Sequence, residues 1–267
     1  MSRISPQAVI DPKAVIADDV EVGPFCLVGP HVTLGAGCRL LSHVVLIGHT
    51  TVGKNNIFYP HCAIGGDPQD KKYRGGPTRL EIGDGNIFRE ASTVHTGTEI
   101  AGGVTRIGNN NLVMINCHIA HDAQFGNNCI LANNVMFAGH VVCGNNVNVA
   151  GGAAVQHFVR IGDFSFICGI SRIRKDVPPF VKVDGADHIR GHNEEGLRRG
   201  GFSEEDIAAI DNACRRLFCD KEKPFAVVMK EFDTQNGLNP QVKKMIEFLR
   251  LRDKGKHGRY LESLRAG

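Results

Sequence analysis

The chain has 267 residues, including 32 glycines, no tryptophan and 6% aromatic residues, which describes a globular protein whose core is made of Val, Ile and Leu. Its formal net charge of +3 at pH 7 is too small for a nucleic-acid-binding surface, which would appear as a concentrated basic stripe. Residues 1–6 lack a basic segment followed by an apolar run, and no apolar stretch reaches the roughly 18 residues that a membrane-spanning helix needs. We therefore expect no nucleic-acid partner and no transmembrane segment.

An aliphatic or aromatic residue recurs every six positions from Ile4 to Ile64 and again from Ile107 to Ile173. The fourth residue after each of these is usually small or β-branched. A period of six fits neither a helix, at 3.6, nor a half-buried strand, at 2. It is typical of a triangular coil in which three short strands make a turn of about eighteen residues. We therefore predict a mainly β protein, a parallel β-helix of hexapeptide repeats, with both recurring positions facing inward.

The nine cysteines are an odd number without the spacing of metal ligands, which fits a reducing compartment and a cytoplasmic location. Most of them follow the repeat. Free cysteine in a core behaves as a small apolar residue. We predict packing roles, and no nucleophile, for five cysteines on the small inward position: Cys26, Cys38, Cys62, Cys117 and Cys129.

The repeat is interrupted at residues 65–81 and shifts phase at residues 99–106, and such breaks usually mark loops on one face of a solenoid. It ends near Val177, where helical patterns begin. Ser203 with three following acidic residues predicts a helix N-terminus. Further helices are predicted over 224–232, 240–250 and 259–264. We predict a β-helical domain over 1–188 and a C-terminal α-helical domain over 189–267 that caps the open end of the coil.

Histidines stand out on the outward positions of the repeat. His121 is followed by Asp122, and His140 is expected one turn further along and one step round the corner. His157 is expected two turns above His121, at roughly 10 Å. A histidine beside a carboxylate that orients it predicts a general base, but three stacked imidazoles also predict a zinc site with an open fourth position. The glycine-rich backbone before His140 suits an oxyanion hole.

Several longer segments make the chain similar to the UDP-N-acetylglucosamine O-acyltransferases of lipid A biosynthesis, and the resemblance covers almost the whole chain. Many acyltransferases share the hexapeptide period, so these segments are much more specific than the repeat. The segments that carry the resemblance are 66–73, 77–84, 114–122, 130–134 and 196–199.

The resemblance implies a left-handed β-helix and a homotrimer with active sites between neighbouring coils. It implies transfer of a 3-hydroxyacyl group from acyl carrier protein to the 3-hydroxyl of the GlcNAc of UDP-GlcNAc. His121 would be the general base, Asp122 its orienting partner, and the Gly139 amide the oxyanion hole. No metal and no cofactor are implied beyond the phosphopantetheine thioester of the donor.

The resemblance also implies a set of substrate-binding residues. Gly169 corresponds to a position where a small residue leaves room for a longer acyl chain. The residues implied for contacts with the sugar nucleotide or acyl chain are Gln69, Asp70, Lys72, His95, His118, His140, Gln156 and His157, with Asn193, Glu195 and Arg199 at the nucleotide end. A C-terminal basic cluster is interpreted either as a solvated helix face or as a docking face for the acidic carrier protein: Lys243, Lys244, Arg250, Arg252, Lys254, Lys256 and Arg259.

Two positions depart from the family pattern. The family usually has His-Gln before Phe158, whereas this chain has Gln156-His157, and Gly200 replaces the second Arg of a pair that begins at Arg199. The sequence leaves acyl chain length, and a 3-amino variant of the acceptor, open.

Three other functions are weighed against the O-acyltransferase. The related N-acyltransferase carries an additional N-terminal domain, for which a repeat beginning at Ile4 leaves no room. A zinc lyase of the carbonic anhydrase type is a second alternative. A non-catalytic scaffold is the third, and the intact His121-Asp122 pair argues against it.

Overall fold

The computed structural model describes residues 3–220 and 222–265. Strands of two to five residues form three parallel sheets, called sheets I, II and III, and the chain visits them in that order on every turn. Ile4 pairs with Val22 in sheet I, and Val22 pairs with Leu40 on the next turn. These pairings confirm the predicted parallel β-helix of hexapeptide repeats.

Within each sheet the strands stack in the order in which the chain forms them. Sheet I contains Arg3–Ile4, Glu21–Val22, Arg39–Leu40, Ile57–Phe58, Ile87–Phe88, Leu112–Val113, Ile130–Leu131, Asn148–Val149, Phe166–Ile167, Val181–Asp184 and the antiparallel His188–His192. Sheet II contains Val9–Ile10, Leu27–Val28, Val45–Leu46, Ala63–Gly66, Thr93–His95, His118–Ile119, Met136–Phe137, Ala154–Val155 and Arg172–Ile173. Sheet III contains Val15–Ile16, Val32–Leu34, His49–Val52, Arg79–Ile82, Val104–Ile107, Gln124–Phe125, Val142–Cys143 and Arg160–Ile161.

The predicted inward positions form the core of the coil. From Val20 to Ile173 the recurring aliphatic residues are almost fully buried, whereas Ile4 is partly exposed because the first turn has a neighbour on one side only. All five cysteines of the small inward position are buried and free. Burial raises the pKa of the Cys38, Cys62 and Cys117 thiols, which keeps them protonated and unreactive.

An unpredicted polar ladder runs inside this core. Asn56, Asn86 and Asn111 occupy the small inward position of successive turns and are buried. The Asn56 Oδ1 atom accepts hydrogen bonds of 2.9 Å from the backbone and side-chain nitrogens of Asn86, and Asn86 Oδ1 accepts two from Asn111 in the same way. The amides therefore satisfy one another where an apolar residue was expected.

The breaks in the repeat are loops at the corner between sheets II and III. The chain leaves sheet II at Gly66 and returns to sheet III at Arg79, and a short 3₁₀ helix, Glu99–Ala101, precedes the strand Val104–Ile107. Both excursions lie beside the corner that carries His121. They give the otherwise regular coil a concave side.

The C-terminal residues form the predicted helices, with one addition. The helices are α1 (Glu194–Arg199), α2 (Glu204–Cys214), which continues as a π-helical turn (Arg215–Cys219), α3 (Phe225–Thr234), α4 (Pro240–Lys254) and α5 (Tyr260–Ser263). Ser203 caps α2 by accepting a hydrogen bond from the Asp206 N–H, as predicted. Helix α1 was missed because six residues are too short to show a helical period. Among the residues that the structure describes, no helix is long and apolar enough to cross a bilayer.

Leu197, Ile207 and Ile210 of the helices belong to the same buried cluster as the last turns of the coil. The helices therefore pack against the last turns of the β-helix. The final strand, His188–His192, pairs with Val181–Asp184 of sheet I. The predicted domain boundary, between residues 188 and 189, therefore falls inside this strand. The division at residues 188 and 189 stays a prediction.

Candidate active site

His121 and Asp122 form the corner between the strands His118–Ile119 and Gln124–Phe125. Asp122 has a φ of 60°, a left-handed conformation that aspartate tolerates better than most residues. This turn aims both side chains to the same side, so that His121 Nδ1 lies 2.8 Å from Asp122 Oδ2. Both residues are only 5% exposed. The structure therefore brings the predicted pair into direct hydrogen-bond contact.

Asp122 is held by residues that the sequence pattern did not identify. Thr98 donates to Asp122 Oδ1 from its backbone N–H at 2.8 Å and to Oδ2 from its hydroxyl at 2.7 Å. Thr105 accepts a hydrogen bond from the Asp122 backbone N–H at 2.8 Å. These bonds fix the carboxylate beside Nδ1 of His121, so that, with the ring proton on Nδ1, Nε2 is the nitrogen available to accept a proton.

Thr105 lies in the segment where the repeat shifts phase and Thr98 lies directly before it, so the six-residue period carried no signal for them. Each threonine also lies well before Asp122 in the sequence, on the turn of the coil below it. Only the stacking of turns brings them together. The one sequence signal was the phase shift itself, which indicates an irregular segment on this face of the coil.

Gly139 lies directly above His121 on the next turn. A Cβ atom at Gly139 would lie 2.5 Å from His121 Cε1 and 2.6 Å from Nε2, well inside contact distance. The His140 N–H donates to His121 O at 3.0 Å, whereas among the described residues the Gly139 N–H donates to none. The Gly139 amide is therefore free within the described part of the chain, and a side chain at this position would occupy the space of the imidazole.

His140 forms the second layer of this corner. Its Nδ1 atom lies 3.8 Å from Asp122 Oδ2, and its ring stands edge-on to His121 with centroids 5.0 Å apart. The other face of His140 stacks on Phe158 at 4.4 Å. Burial lowers the pKa of His140 to about 4, so the ring is neutral at pH 7. A neutral His140 leaves the Asp122 charge to act on His121.

An open groove of about 1470 Å³ runs past this corner along sheet III. Its lining includes half of the predicted substrate-binding residues. Those that border it are Gln69, Asp70, Lys72, His140, Gln156 and His157. Asp70 accepts a hydrogen bond from the Lys72 N–H, which lowers the pKa of its carboxyl group. The exchanged order of Gln156 and His157 leaves both residues on the wall.

His95 and His118 lie round the corner on sheet II and do not line the groove. Their rings meet edge-on at 4.8 Å, and His118 Nδ1 bonds the Thr93 hydroxyl at 2.8 Å. Burial lowers the pKa of both, that of His95 to about 4. His95 Nδ1 is buried and lacks a partner among the described residues. His121 thus separates two histidine-bearing faces.

The remaining predicted residues lie further from His121. Gly169 is at the corner between sheets I and II, where a Cβ atom would lie 3.3 Å from the Gly151 carbonyl oxygen. Asn193 caps α1 and donates to the Phe164 carbonyl at 2.8 Å, which gives it a structural role. Glu195 and Arg199 form an exposed ion pair of 2.8 Å on α1. None of these four residues borders the groove.

Gly200, the second departure from the family pattern, has a packing reason. A Cβ atom there would lie 2.4 Å from Phe164 Cε1, so an arginine would displace that ring. Phe164 packs edge-on against Phe202 at 4.9 Å and therefore takes the space beside Gly200. The glycine at this position therefore accompanies an aromatic contact between the coil and the segment that links α1 to α2.

The C-terminal basic cluster is only partly available for docking. Arg259 is buried, and burial lowers the pKa of Arg252, whose guanidinium lies over the Phe225 ring. Arg250 pairs with Asp233, and Lys244 lies 3.7 Å from Asp163. The members that remain exposed without an ion pair among the described residues are Lys243, Lys254 and Lys256. Docking of the acidic carrier protein on this cluster stays a prediction, and these three lysines are the members available for it.

The predicted zinc alternative has one geometric basis. His121, Asp122 and His140 each offer one donor atom, and these atoms lie within 4.8 Å of one another. His157, the third histidine of the predicted column, is not part of this group. Both Asp122 oxygens already accept hydrogen bonds from Thr98, and Oδ2 also accepts the bond from His121. The carboxylate is therefore committed to orienting the imidazole.

The chain matches known acyltransferases over most of its length. Residues 176–258 match the family model for domain 2 of UDP-N-acetylglucosamine O-acyltransferase, and residues 104–139 match that for the bacterial transferase hexapeptide. The acyl-[acyl-carrier-protein]–UDP-N-acetylglucosamine O-acyltransferase of Xanthomonas euvesicatoria is 46% identical over 249 residues, 92% of this chain and 94% of the relative. That of Halorhodospira halophila is 47% identical over 220 residues, 82% and 85% of the two chains.

Solved structures agree with the sequence matches. LpxA from Acinetobacter baumannii superposes with a TM-score of 0.87 at 40% identity, covering 93% of this chain and 96% of its own. UDP-N-acetylglucosamine O-acyltransferase (LpxA) from Moraxella catarrhalis gives 0.87 at 42% identity, covering 92% and 96%. Because its relatives match at this identity over most of their length, the chain belongs to the UDP-N-acetylglucosamine O-acyltransferase family.

Proposed function

We propose that this protein transfers a 3-hydroxyacyl group from the thioester of acyl carrier protein to the 3-hydroxyl of the GlcNAc of UDP-GlcNAc, with His121 as general base. The observation that carries the proposal is the buried 2.8 Å bond between His121 Nδ1 and Asp122, beside the free Gly139 amide and open to the groove. Membership of the family supports the identity of both substrates.

The reaction follows from these three groups. His121 Nε2 takes the proton of the sugar hydroxyl while its oxygen attacks the thioester carbonyl carbon. The negative charge that develops on the carbonyl oxygen is stabilised by the Gly139 N–H, and Asp122 stabilises the imidazolium. The tetrahedral intermediate then collapses, the carbon–sulfur bond breaks, and the imidazolium returns its proton to the departing thiolate. The products are the sugar ester and the free carrier thiol.

The groove supplies binding and orientation for this step. Asp70, Lys72, Gln156 and His157 border it beside His121, and we propose that they contact the sugar nucleotide or the acyl chain. No residue in this scheme forms a covalent intermediate. The acyl group passes directly from sulfur to oxygen, which agrees with buried, protonated cysteines elsewhere in the coil. We propose a cytoplasmic location, consistent with nine free cysteines.

The test is a transfer assay with UDP-GlcNAc and a series of 3-hydroxyacyl carrier proteins of different chain length. His121→Ala is expected to lower kcat by about a hundredfold or more, since a positioned base contributes that much. His49→Ala is the matched control, because His49 is exposed, stacks on His31 and lies outside the groove lining. Full activity of His121→Ala would contradict the proposal.

Two further experiments address the alternative acceptor and the zinc alternative. A 3-amino analogue of the sugar nucleotide, tested beside UDP-GlcNAc, identifies the acceptor. Metal analysis of the purified protein, together with activity after chelation, tests the zinc alternative at His121, Asp122 and His140. Stoichiometric zinc that is needed for turnover would overturn the metal-free base mechanism.

A further inference from the structure

The end of the chain returns from the helical domain to the β-helix. After α4 the backbone turns at Gly258, which has a φ of 74°, and α5 then runs back along the last turns of the coil. We call residues 256–265 the C-terminal arm. The sequence pattern predicts that this segment belongs to the C-terminal helical domain, and it does not predict that the segment lies near His121.

Buried hydrogen bonds hold the arm on the coil. Asp176 is 2% exposed, and its Oδ2 atom accepts bonds from the Tyr260 N–H at 3.0 Å and from Arg160 Nε at 2.8 Å. Arg259 Nη1 donates to the Arg174 carbonyl at 2.9 Å. The Arg160 guanidinium also lies over the Tyr260 ring, 4.9 Å from its centroid. The arm is therefore a docked element with a defined position.

The docked arm forms one wall of the active-site groove. The arm residues that border the groove together with His121 and His140 are Arg259, Leu261, Glu262, Leu264 and Arg265. The Arg265 guanidinium lies 5.6 Å from the centroid of the Phe158 ring, and the same ring stacks on His140. Only one aromatic ring therefore separates Arg265 from the catalytic corner.

The cations around the groove differ in how far they are already neutralised. Arg79 and Arg106 both bond Glu81, at 2.7 and 2.8 Å, and Arg259 bonds Glu262 at 3.1 Å. Arg265 comes no closer than 3.9 Å to Glu262, and its side chain is 48% exposed. Its ion pair is therefore longer than those of Arg79, Arg106 and Arg259, and its residue borders the groove.

We infer that Arg265 binds a substrate phosphate at the mouth of the groove. The inference rests on the proposed function, because both proposed substrates carry phosphate: the sugar nucleotide a diphosphate and the acyl donor the phosphodiester of its phosphopantetheine. A guanidinium matches phosphate oxygens in a bidentate geometry and is the residue best suited to such a contact. Docking of the arm on Asp176 preorganises Arg265 for this role.

Binding of phosphorylated and unphosphorylated ligands tests this inference on the full-length protein. Isothermal titration compares UDP with uridine, and 3-hydroxyacyl-phosphopantetheine with 3-hydroxyacyl-pantetheine. Arg265→Ala is expected to weaken binding of one phosphorylated ligand by about tenfold, and Arg265→Lys by less, since lysine keeps the charge but not the fork. The pair that responds identifies which substrate phosphate is bound. The unphosphorylated partner should bind the parent and Arg265→Ala equally.

Arg39→Ala is the matched control, because Arg39 has a similarly exposed side chain and an ion pair on sheet I, away from the groove. Equal loss for phosphorylated and unphosphorylated ligands would assign Arg265 a structural role and overturn the inference. Unchanged binding, or no binding of either phosphorylated ligand by the parent, would also overturn it. If the parent transfers acyl groups but Arg265→Ala binds both phosphorylated ligands normally, the proposed function stands and only the inference about Arg265 is rejected. If Arg265→Ala weakens binding of a phosphorylated ligand but the parent transfers no acyl group, only the proposed function is rejected.

Discussion

At the residue scale, the site depends on a small space shared by His121 and Gly139. Gly139 has no left-handed φ, so its backbone would accept a side chain; the obstacle is the imidazole alone. The absence of a Cβ atom therefore serves the neighbouring turn rather than the local backbone. This explains in physical terms why a glycine precedes His140 in the sequence.

Gly139→Ala is expected to lower kcat by about a hundredfold and to leave the fold intact, because the new methyl group would push the His121 ring away from its working position. Steady-state kinetics together with the thermal unfolding temperature measure the two effects. Gly151→Ala is the control, since Gly151 occupies a different corner and its Cβ atom would meet only the Asn133 carbonyl, at 3.2 Å. Normal turnover in Gly139→Ala would contradict this account of the glycine.

The buried histidines also predict a pH dependence of stability. Burial lowers the pKa of His95 and His140 to about 4, below the ordinary value of 6.5, so the unfolded chain binds more protons than the folded one between these values. Stability is then fully present above about pH 6.5 and is lost as the pH falls toward 4. Asp122 opposes the shift of His140, whereas His121, His157 and Arg265 reinforce it.

Urea unfolding midpoints measured from pH 7.5 to pH 4.5 test this dependence. His140→Asn should give a shallower decline than the parent, because the amide does not titrate and asparagine accepts the φ of 62° at this corner. The slope, rather than the absolute midpoint, is the quantity to compare. Parallel declines in the two proteins would show that His140 does not contribute.

At the scale of the elements, short strands of two residues are stabilised by ladders that run along the coil. The inner ladder of Asn56, Asn86 and Asn111 replaces apolar packing where loops interrupt the repeat. An outer ladder of Asn109, Asn127 and Asn145 has the same amide-to-amide geometry in a more exposed position. Because the inner ladder is buried, we expect it to contribute more to the stability of the fold than the outer ladder.

Asn86→Ala is expected to lower the free energy of unfolding by about 2 kcal/mol, since it leaves the Asn111 backbone N–H buried without its partner and removes one of the two hydrogen bonds to Asn56 Oδ1. Asn127→Ala removes the equivalent bonds from the outer ladder and should have a much smaller effect, because water replaces them. Urea unfolding of both variants gives the comparison. Equal losses would mean that burial does not set the strength of the ladder.

At the scale of the whole molecule, the outer face of sheet II predicts association. Val9, Leu27 and Met136 occupy outward positions there and leave 40–65% of their surface exposed. His95 and His118 lie on the same face. A protein with such an apolar face beside its binding residues is expected to cover it with another copy of itself. This face fits the homotrimer that the family resemblance implies, and we propose that trimer as the working form.

Sedimentation equilibrium should give a mass about three times the 29.0 kDa of the chain. Met136→Lys introduces a charge on the outer face of sheet II and is expected to reduce both the mass and the acyl-transfer activity, because His95 and His118 then lose the second wall of their site. Ile170→Lys is the control, since Ile170 is exposed at the corner between sheets I and II. A fully active monomer would contradict the proposal.

The coil, its inward positions and the adjacent pair His121 and Asp122 could all be predicted from the residue pattern. Each of these depends on spacing within one or two turns, and a repeating structure converts spacing directly into position. The predicted helices followed for the same reason, since Ser203 and the apolar period of α2 act locally.

The segments that meet around that pair could not be predicted in this way, because they are brought together by the folded chain. Thr98 and Thr105 brace Asp122 from an irregular segment, and the arm brings Arg265 to the groove from the far end of the chain. The separation of His95 and His118 from the groove was also not predictable. It depends on the sheet to which each strand belongs, since these two histidines lie on sheet II and the groove runs along sheet III. Contacts between distant, non-repeating segments leave no period in the sequence, so they become visible only when the turns are stacked.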